Sequence, residues 1–140
     1  NIVKHLEYLG YEIFIENNFI IIDKSDHKQL RIRDGENFLY FNSDYIFNPN
    51  TCEDEGGWLK FVNMLNAESK ISTFFKTDNR LNIFAAYFGT YDKTAFRLFF
   101  EGFEFDCNSF ILSQDESDHY LGVGMHLKDG SIIGGQRYDA

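Results

Sequence analysis

The stretch Tyr11-Glu12-Ile13-Phe14-Ile15-Glu16-Asn17-Asn18-Phe19-Ile20-Ile21-Ile22 decides the fold of this 140-residue chain. From Tyr11 to Glu16 the residues alternate as in a strand, side chains pointing to either side in turn. Asn17-Asn18 interrupts it. Asparagine tolerates the positive φ that a two-residue primed turn demands, so the chain is expected to turn back into Phe19–Ile22. The same device follows at once: Lys28-Gln29-Leu30-Arg31-Ile32-Arg33 alternates up to Asp34-Gly35, a strong hairpin signal, and Asn37-Phe38-Leu39-Tyr40-Phe41-Asn42 returns. Four strands are therefore expected between positions 11 and 42.

Upstream, Ile2, Val3, Leu6 and Leu9 recur at helical spacing and Gly10 follows where a helix stops. Downstream, Ser43 to Asn50, with the single proline at Pro49, is expected to be a connecting loop. Thr51 with Asp54 three positions later suggests an N-cap, and the run Glu53-Asp54-Glu55 suits the positive end of a helix. That helix, over 51–69, places Trp58, Phe61, Val62 and Leu65 on one stripe with Met64 at its edge. Gly56 and Gly57 weaken its first turn by about 1 kcal/mol each relative to alanine. Ile71–Thr77 and Arg80–Phe88, divided by Asp78-Asn79, predict a further hairpin. Asp92 then caps a helix in which Phe96, Phe99, Phe100, Phe103, Cys107 and Phe110 share one wide apolar face, making Cys107 a small core residue. Gly102 within it needs close packing to offset its helix cost.

The order helix, four strands, helix, two strands, helix describes an α+β domain: a twisted, largely antiparallel sheet of about six strands with two to three helices. Residues 1–113 form its body, and 114–140 an acidic loop followed by a glycine-rich hairpin or tail of the same domain.

Charge narrows the partners. The chain carries 13 basic and 22 acidic residues, a net charge of −9, and this weighs against nucleic acid and anionic membranes. Residues 1–100 hold 11 basic and 14 acidic residues; residues 101–140 hold 2 and 8, so the acidity is concentrated near the C-terminal end. No apolar run approaches the roughly 20 residues of a membrane span. Asn1-Ile2-Val3-Lys4-His5 lacks the apolar segment of a signal peptide. Cys52 and Cys107, without CxxC spacing, fit reduced thiols and a cytoplasmic location.

The unusual figure is aromatic content: 16 Phe, 8 Tyr and one Trp make up 18% of the chain. With the more aliphatic set of each strand turned inward, the core face collects Ile13, Ile15, Leu30, Ile32, Leu39, Phe41, Ile71, Phe75, Leu81 and Ile83. The other face holds Glu12, Arg31, Arg33, Lys76 and Asn82, yet also Phe14, Phe38, Tyr40, Phe74, Phe84 and Phe88. These six aromatic residues form the expected protein-interaction surface, because so large an apolar patch asks to be covered. The tail, a second copy of the chain or a partner peptide could cover it.

Chemistry finds little support. Asp115, Glu116, Asp118, His119 and His126 are the one set resembling metal ligands, but their spacing matches neither HExxH nor an EF-hand, and a solvated loop explains them. His5 and His27 stand alone and are expected at the surface. Acidic neighbours Glu53, Asp54 and Glu55 oppose thiolate formation at Cys52. Gly122-Val123-Gly124 lacks the rest of a dinucleotide fingerprint. No catalytic residue, metal or cofactor is expected.

Leu6-Glu7-Tyr8-Leu9-Gly10-Tyr11-Glu12 leading into hairpins, Trp58-Leu59-Lys60-Phe61-Val62-Asn63-Met64-Leu65-Asn66 on the middle helix, and then a strand pair and a Phe-rich helix together resemble YbjN-type bacterial domains over about residues 2–112. The sharpest element is Val62-Asn63-x-Leu65-Asn66. The resemblance implies the type III secretion chaperone-like fold, often dimeric, in a family described as sensory-transduction regulators with no established catalytic residues.

The expected function is thus a non-enzymatic, chaperone-like or regulatory domain that binds another protein, or itself, through sheet or helix surface. Two alternatives stand beside it: an acidic inhibitor or immunity-type protein that neutralises a basic partner, and a small metal-dependent hydrolase using Asp118, His119 and His126.

Overall fold

Asn17 and Asn18 adopt φ of 49° and 71°, the left-handed pair that a primed turn requires, so Glu16 faces Phe19 and the first hairpin forms as expected. The computed structural model describes residues 2–23, 28–35, 38–78, 80–89 and 91–121. In chain order these form α1 (Ile2–Tyr8), β1 (Glu12–Glu16), β2 (Phe19–Asp23), β3 (Leu30–Asp34), β4 (Phe38–Ile46), α2 (Glu55–Glu68), β5 (Thr73–Lys76), β6 (Arg80–Phe88), α3 (Lys93–Phe105) and α4 (Ser117–Tyr120). Gly10, with φ of 97°, closes the turn after α1. A π-type turn over Asp106–Phe110 extends α3.

The six strands make one antiparallel sheet in the order β1-β2-β3-β4-β6-β5. The architecture is α+β, with four helices among the described residues. The helices pack on one face of the sheet. Trp58, Phe61 and Leu65 of α2, Phe96, Phe100 and Phe103 of α3, and Leu6 of α1 are buried with Ile22, Leu30, Ile32, Phe41, Phe74, Leu81 and Ile83. The Phe stripe holds across the π-type turn: Cys107 and Phe110 are buried with it, and burial pushes the Cys107 thiol well above its ordinary pKa.

Four expectations are corrected. The strand β4 runs on through Ser43–Ile46, which sequence assigns to a loop, because tertiary partners satisfy its polar side chains: Ser43 Oγ donates to Gln29 O at 2.8 Å and Asp44 pairs with two arginines. The N-cap of α2 is Asp54, whose Oδ1 accepts from Gly57 N at 3.1 Å; Thr51 instead ends a short 3-10 turn over Pro49–Thr51 and accepts from Trp58 Nε1 at 3.1 Å. Gly57 earns its place in the first turn, since a Cβ there would collide with the Asp54 carboxylate and the Tyr120 hydroxyl. His5 is buried rather than on the surface. Finally, β5 is in the opposite register to the expected one, which moves Phe74 to the core.

One buried carboxylate ties the helical layer to the sheet. Asp106, fully buried in the π-type turn, accepts from the main-chain N–H groups of Lys70, Ile71 and Ser72 at 2.9, 2.9 and 3.0 Å. These donors belong to the turn between α2 and β5, which they hold against the end of α3. Gly102 meets the Ile71 side chain, 3.4 Å from where a Cβ would stand.

Candidate functional site

Parity along each strand, carried across the ladder by its register, sets the second face of the sheet. Phe38 stands opposite Phe88; Glu16, Phe19, Arg33, Tyr40 and Ala86 form the next row; Phe14, Ile21, Arg31, Asn42, Phe84 and Thr73 the one after. Asp44, Asn82 and Phe75 follow, and then Ile46 and Arg80. None of the described helices covers this face: Phe14, Phe38, Tyr40, Phe84 and Phe88 all lie outside the core cluster.

The rings contact one another instead. Phe38 meets Tyr40 edge-on at 4.4 Å between centroids and Phe88 at 5.4 Å, while Tyr40 meets Phe84 at 5.4 Å. The Arg33 guanidinium lies 4.8 Å over the Tyr40 ring. Phe88 is 71% exposed and Phe14 53%. Beyond the rings the face turns polar: the Asp44 carboxylate holds Arg31 Nη2 and Arg80 Nη1, each at 3.1 Å, and Arg31 Nε donates to Asn42 Oδ1 at 2.7 Å. An aromatic strip beside a network of one carboxylate and two guanidiniums offers apolar area at low rotamer cost next to polar groups held in place.

Of the six aromatic residues expected here, Phe14, Phe38, Tyr40, Phe84 and Phe88 are on this face. Phe74 is not. It pairs with Ile83 on the core side and is 1% exposed, packed 6.1 Å from Phe110, whereas Phe75, expected inward, faces Asn82 and is 45% exposed. Two adjacent phenylalanines give period two nothing to choose between; the register against β6 makes the choice. Lys76 correspondingly moves to the helix side, 5.0 Å over the Phe47 ring. Phe19 and Ile21 also belong to the open face, hidden from sequence because Phe19–Ile22 is uniformly apolar. Their placement follows from the turn, which sets Phe19 beside Glu16.

The other candidates fall elsewhere. Ser117 and Tyr120 anchor the 115–120 segment, Ser117 Oγ donating to Ile111 O and the Tyr120 hydroxyl to Asp54 Oδ2 at 3.0 Å. His119 stacks edge-on against Tyr120. Among the described residues no three His, Cys, Asp or Glu side chains group as metal ligands. His27, His126 and the 122–140 segment, with Gly122-Val123-Gly124 and the expected hairpin or tail, lie outside the described residues. Cys52 is exposed and free. His5 packs against Phe96 and Tyr91, its Nδ1 2.6 Å from the Tyr91 hydroxyl. Burial lowers the His5 pKa and raises that of Tyr91. Among the described residues no helix is long and apolar enough to cross a membrane.

A single antiparallel sheet with the described helices on one side and half-buried or exposed aromatic rings on the other defines an α+β domain. The architecture is shared with YbjN from E. coli, a candidate transcription regulator, whose solved structure is similar over 75% of this chain and 82% of its own at a TM-score of 0.61 and 17% identity. The YbjN-like fold expected from residues 2–112 is thereby shown. No family model matches the chain, and no curated protein does.

Proposed function

We propose that this chain is a non-enzymatic protein-binding domain whose contact surface is the helix-free face of the sheet. One observation carries the reading: Phe38, Tyr40, Phe84 and Phe88 form a connected aromatic strip on a face that none of the described helices covers. A net charge of −9 favours a polypeptide over nucleic acid as partner. Such a domain acts by occupancy, as a chaperone-like or regulatory module does, holding an apolar segment that would otherwise be exposed to water.

The test places a photo-crosslinking side chain at position 88 and, as a control on the helix side, at the exposed Leu98. Adducts with a polypeptide are expected at 88, not at 98, and they disappear in Phe38→Ser/Phe84→Ser while thermal unfolding stays cooperative. Equal adducts at both positions refute the reading. Loss of adducts in high salt alone points to an acidic inhibitor, since screening weakens charge pairing and leaves apolar contact intact.

A further inference from the structure

The sheet has two edges, and the structure closes one of them. At β5, Asn66 of α2 turns its carboxamide onto the strand: Nδ2 donates to Phe74 O at 3.0 Å and Oδ1 accepts from Phe74 N at 2.7 Å. The side chain thus occupies the main-chain pair that an added strand would use.

β1, at the other edge, has no such cap among the described residues. In a two-residue turn the flanking pair Glu16–Phe19 exchanges hydrogen bonds, so alternation directs the main chain of Glu12, Phe14 and Glu16 at β2. The N–H and C=O groups of Ile13 and Ile15 then point out of the sheet. Ile15 is 70% exposed and Phe14 lies beside it on the other face. Glu12 and Glu16 bracket this apolar triplet, both exposed, and Asp23 stands opposite Glu12. Whereas Asp44 holds two arginines, these three carboxylates make no ion pair among the described residues.

We propose that the β1 edge docks an extended polypeptide segment in which an apolar triplet is flanked by Lys or Arg, added as a seventh, antiparallel strand. The outer two residues of the triplet would lie against Ile13 and Ile15 and its middle residue on Phe14. The flanking cations would stand opposite Glu16 and Glu12, at the roughly 4.5–5.5 Å Cβ separation of directly paired positions. A second copy of the chain fits worse. β1 reads Glu-Ile-Phe-Ile-Glu in both directions, so antiparallel self-pairing about Phe14 sets Glu12 of each copy against Glu16 of the other, like charge against like.

This inference rests on the domain binding polypeptides but uses a different surface, and its test separates the two. The probe is a fluorescent peptide, Gly-Ser-Lys-Ile-Phe-Ile-Lys-Ser-Gly, against the same peptide with Glu for both Lys, followed by fluorescence anisotropy. The lysine peptide is expected to bind the native chain, more weakly as salt rises, and at least about tenfold more weakly to Ile15→Pro, which removes an outward N–H without touching the ladder to β2. Glu12→Lys/Glu16→Lys is expected to invert the preference, and Phe38→Ser/Phe84→Ser to leave binding unchanged. On the native chain the peptide should slow amide exchange at Ile13 and Ile15, a reading independent of any variant. Equal binding of both peptides, unchanged exchange at those amides, or a chain dimer abolished by Ile15→Pro would overturn the proposal, the last by making the occupant a second copy. Loss of binding in Phe38→Ser/Phe84→Ser with Ile15→Pro unaffected would overturn it in favour of the open face.

Discussion

Tyr40 and Phe41 are neighbours on β4, yet Phe41 lies among Phe96, Phe99, Phe100 and Phe103 while Tyr40 meets Phe38, Phe84 and the Arg33 guanidinium. The same residue class serves two ends on the two faces of one sheet. On the helix side rings interlock from several directions and exclude water; on the open side, among the described residues, they touch along the sheet and stay half-buried or exposed. Position in the pleat, not residue type, separates core from open face. A high aromatic fraction is therefore two populations, and they should answer differently to the same substitution.

The sharpest way to break this contrast is at β5, where two phenylalanines adjoin. Phe74→Ala should cost about 3–5 kcal/mol, as a large ring deleted from a packed core does. Phe75→Ala should cost less than about 1 kcal/mol, as a substitution at a half-exposed site away from the core does. Urea unfolding of both variants decides it, and the reverse order would restore the opposite register. The two faces should differ in their carboxylates as well. Asp106→Ala removes the acceptor of three main-chain donors, the Ser72 N–H among them buried, and should cost about 2–4 kcal/mol, each unsatisfied group carrying part of its desolvation penalty. Asp44→Ala, on the open face, should cost at most about 1 kcal/mol, because its pairs with Arg31 and Arg80 are partly solvated. Equal losses at the two positions would mean that the open face is covered.

The smallest effect is a pH dependence confined to the helix side. Burial, with Lys93 and Arg97 nearby, holds the folded-state pKa of His5 below its ordinary 6.5. Between those two values the unfolded chain binds the extra proton. Stability should therefore be full above about pH 6.5 and decline as pH falls through the folded-state pKa. In His5→Phe that decline should flatten. Denaturation midpoints across this range measure it, and an unchanged slope in the variant would show that the imidazole is solvated.

Legibility followed the range of the interactions. The hairpins of residues 11–42 were readable because Asn17-Asn18 and Asp34-Gly35 carry their turn chemistry locally, and the stripe from Phe96 to Phe110 because helical spacing is local too. Five of the six open-face aromatics were readable from parity alone. What failed needed a distant partner. Ser43–Ile46 continues a strand only because Gln29, Arg31 and Arg80 satisfy its side chains. His5 is interior only because Tyr91, 86 positions away, meets it. Phe74 and Phe75 could not be told apart until β6 set their register, and nothing in the sequence marks Asn66 as a cap on a strand eight residues later.

That cap also bears on how far assembly can proceed. Growth of a sheet from molecule to molecule, the route to fibres, needs an accepting edge at each end of every unit. With the Phe74 main-chain pair of β5 occupied by the Asn66 carboxamide, a molecule that takes a strand at β1, as proposed, lacks at Phe74 the free pair that its next neighbour would need. Asn66→Ala is the change expected to free that pair and make β5 a second accepting edge.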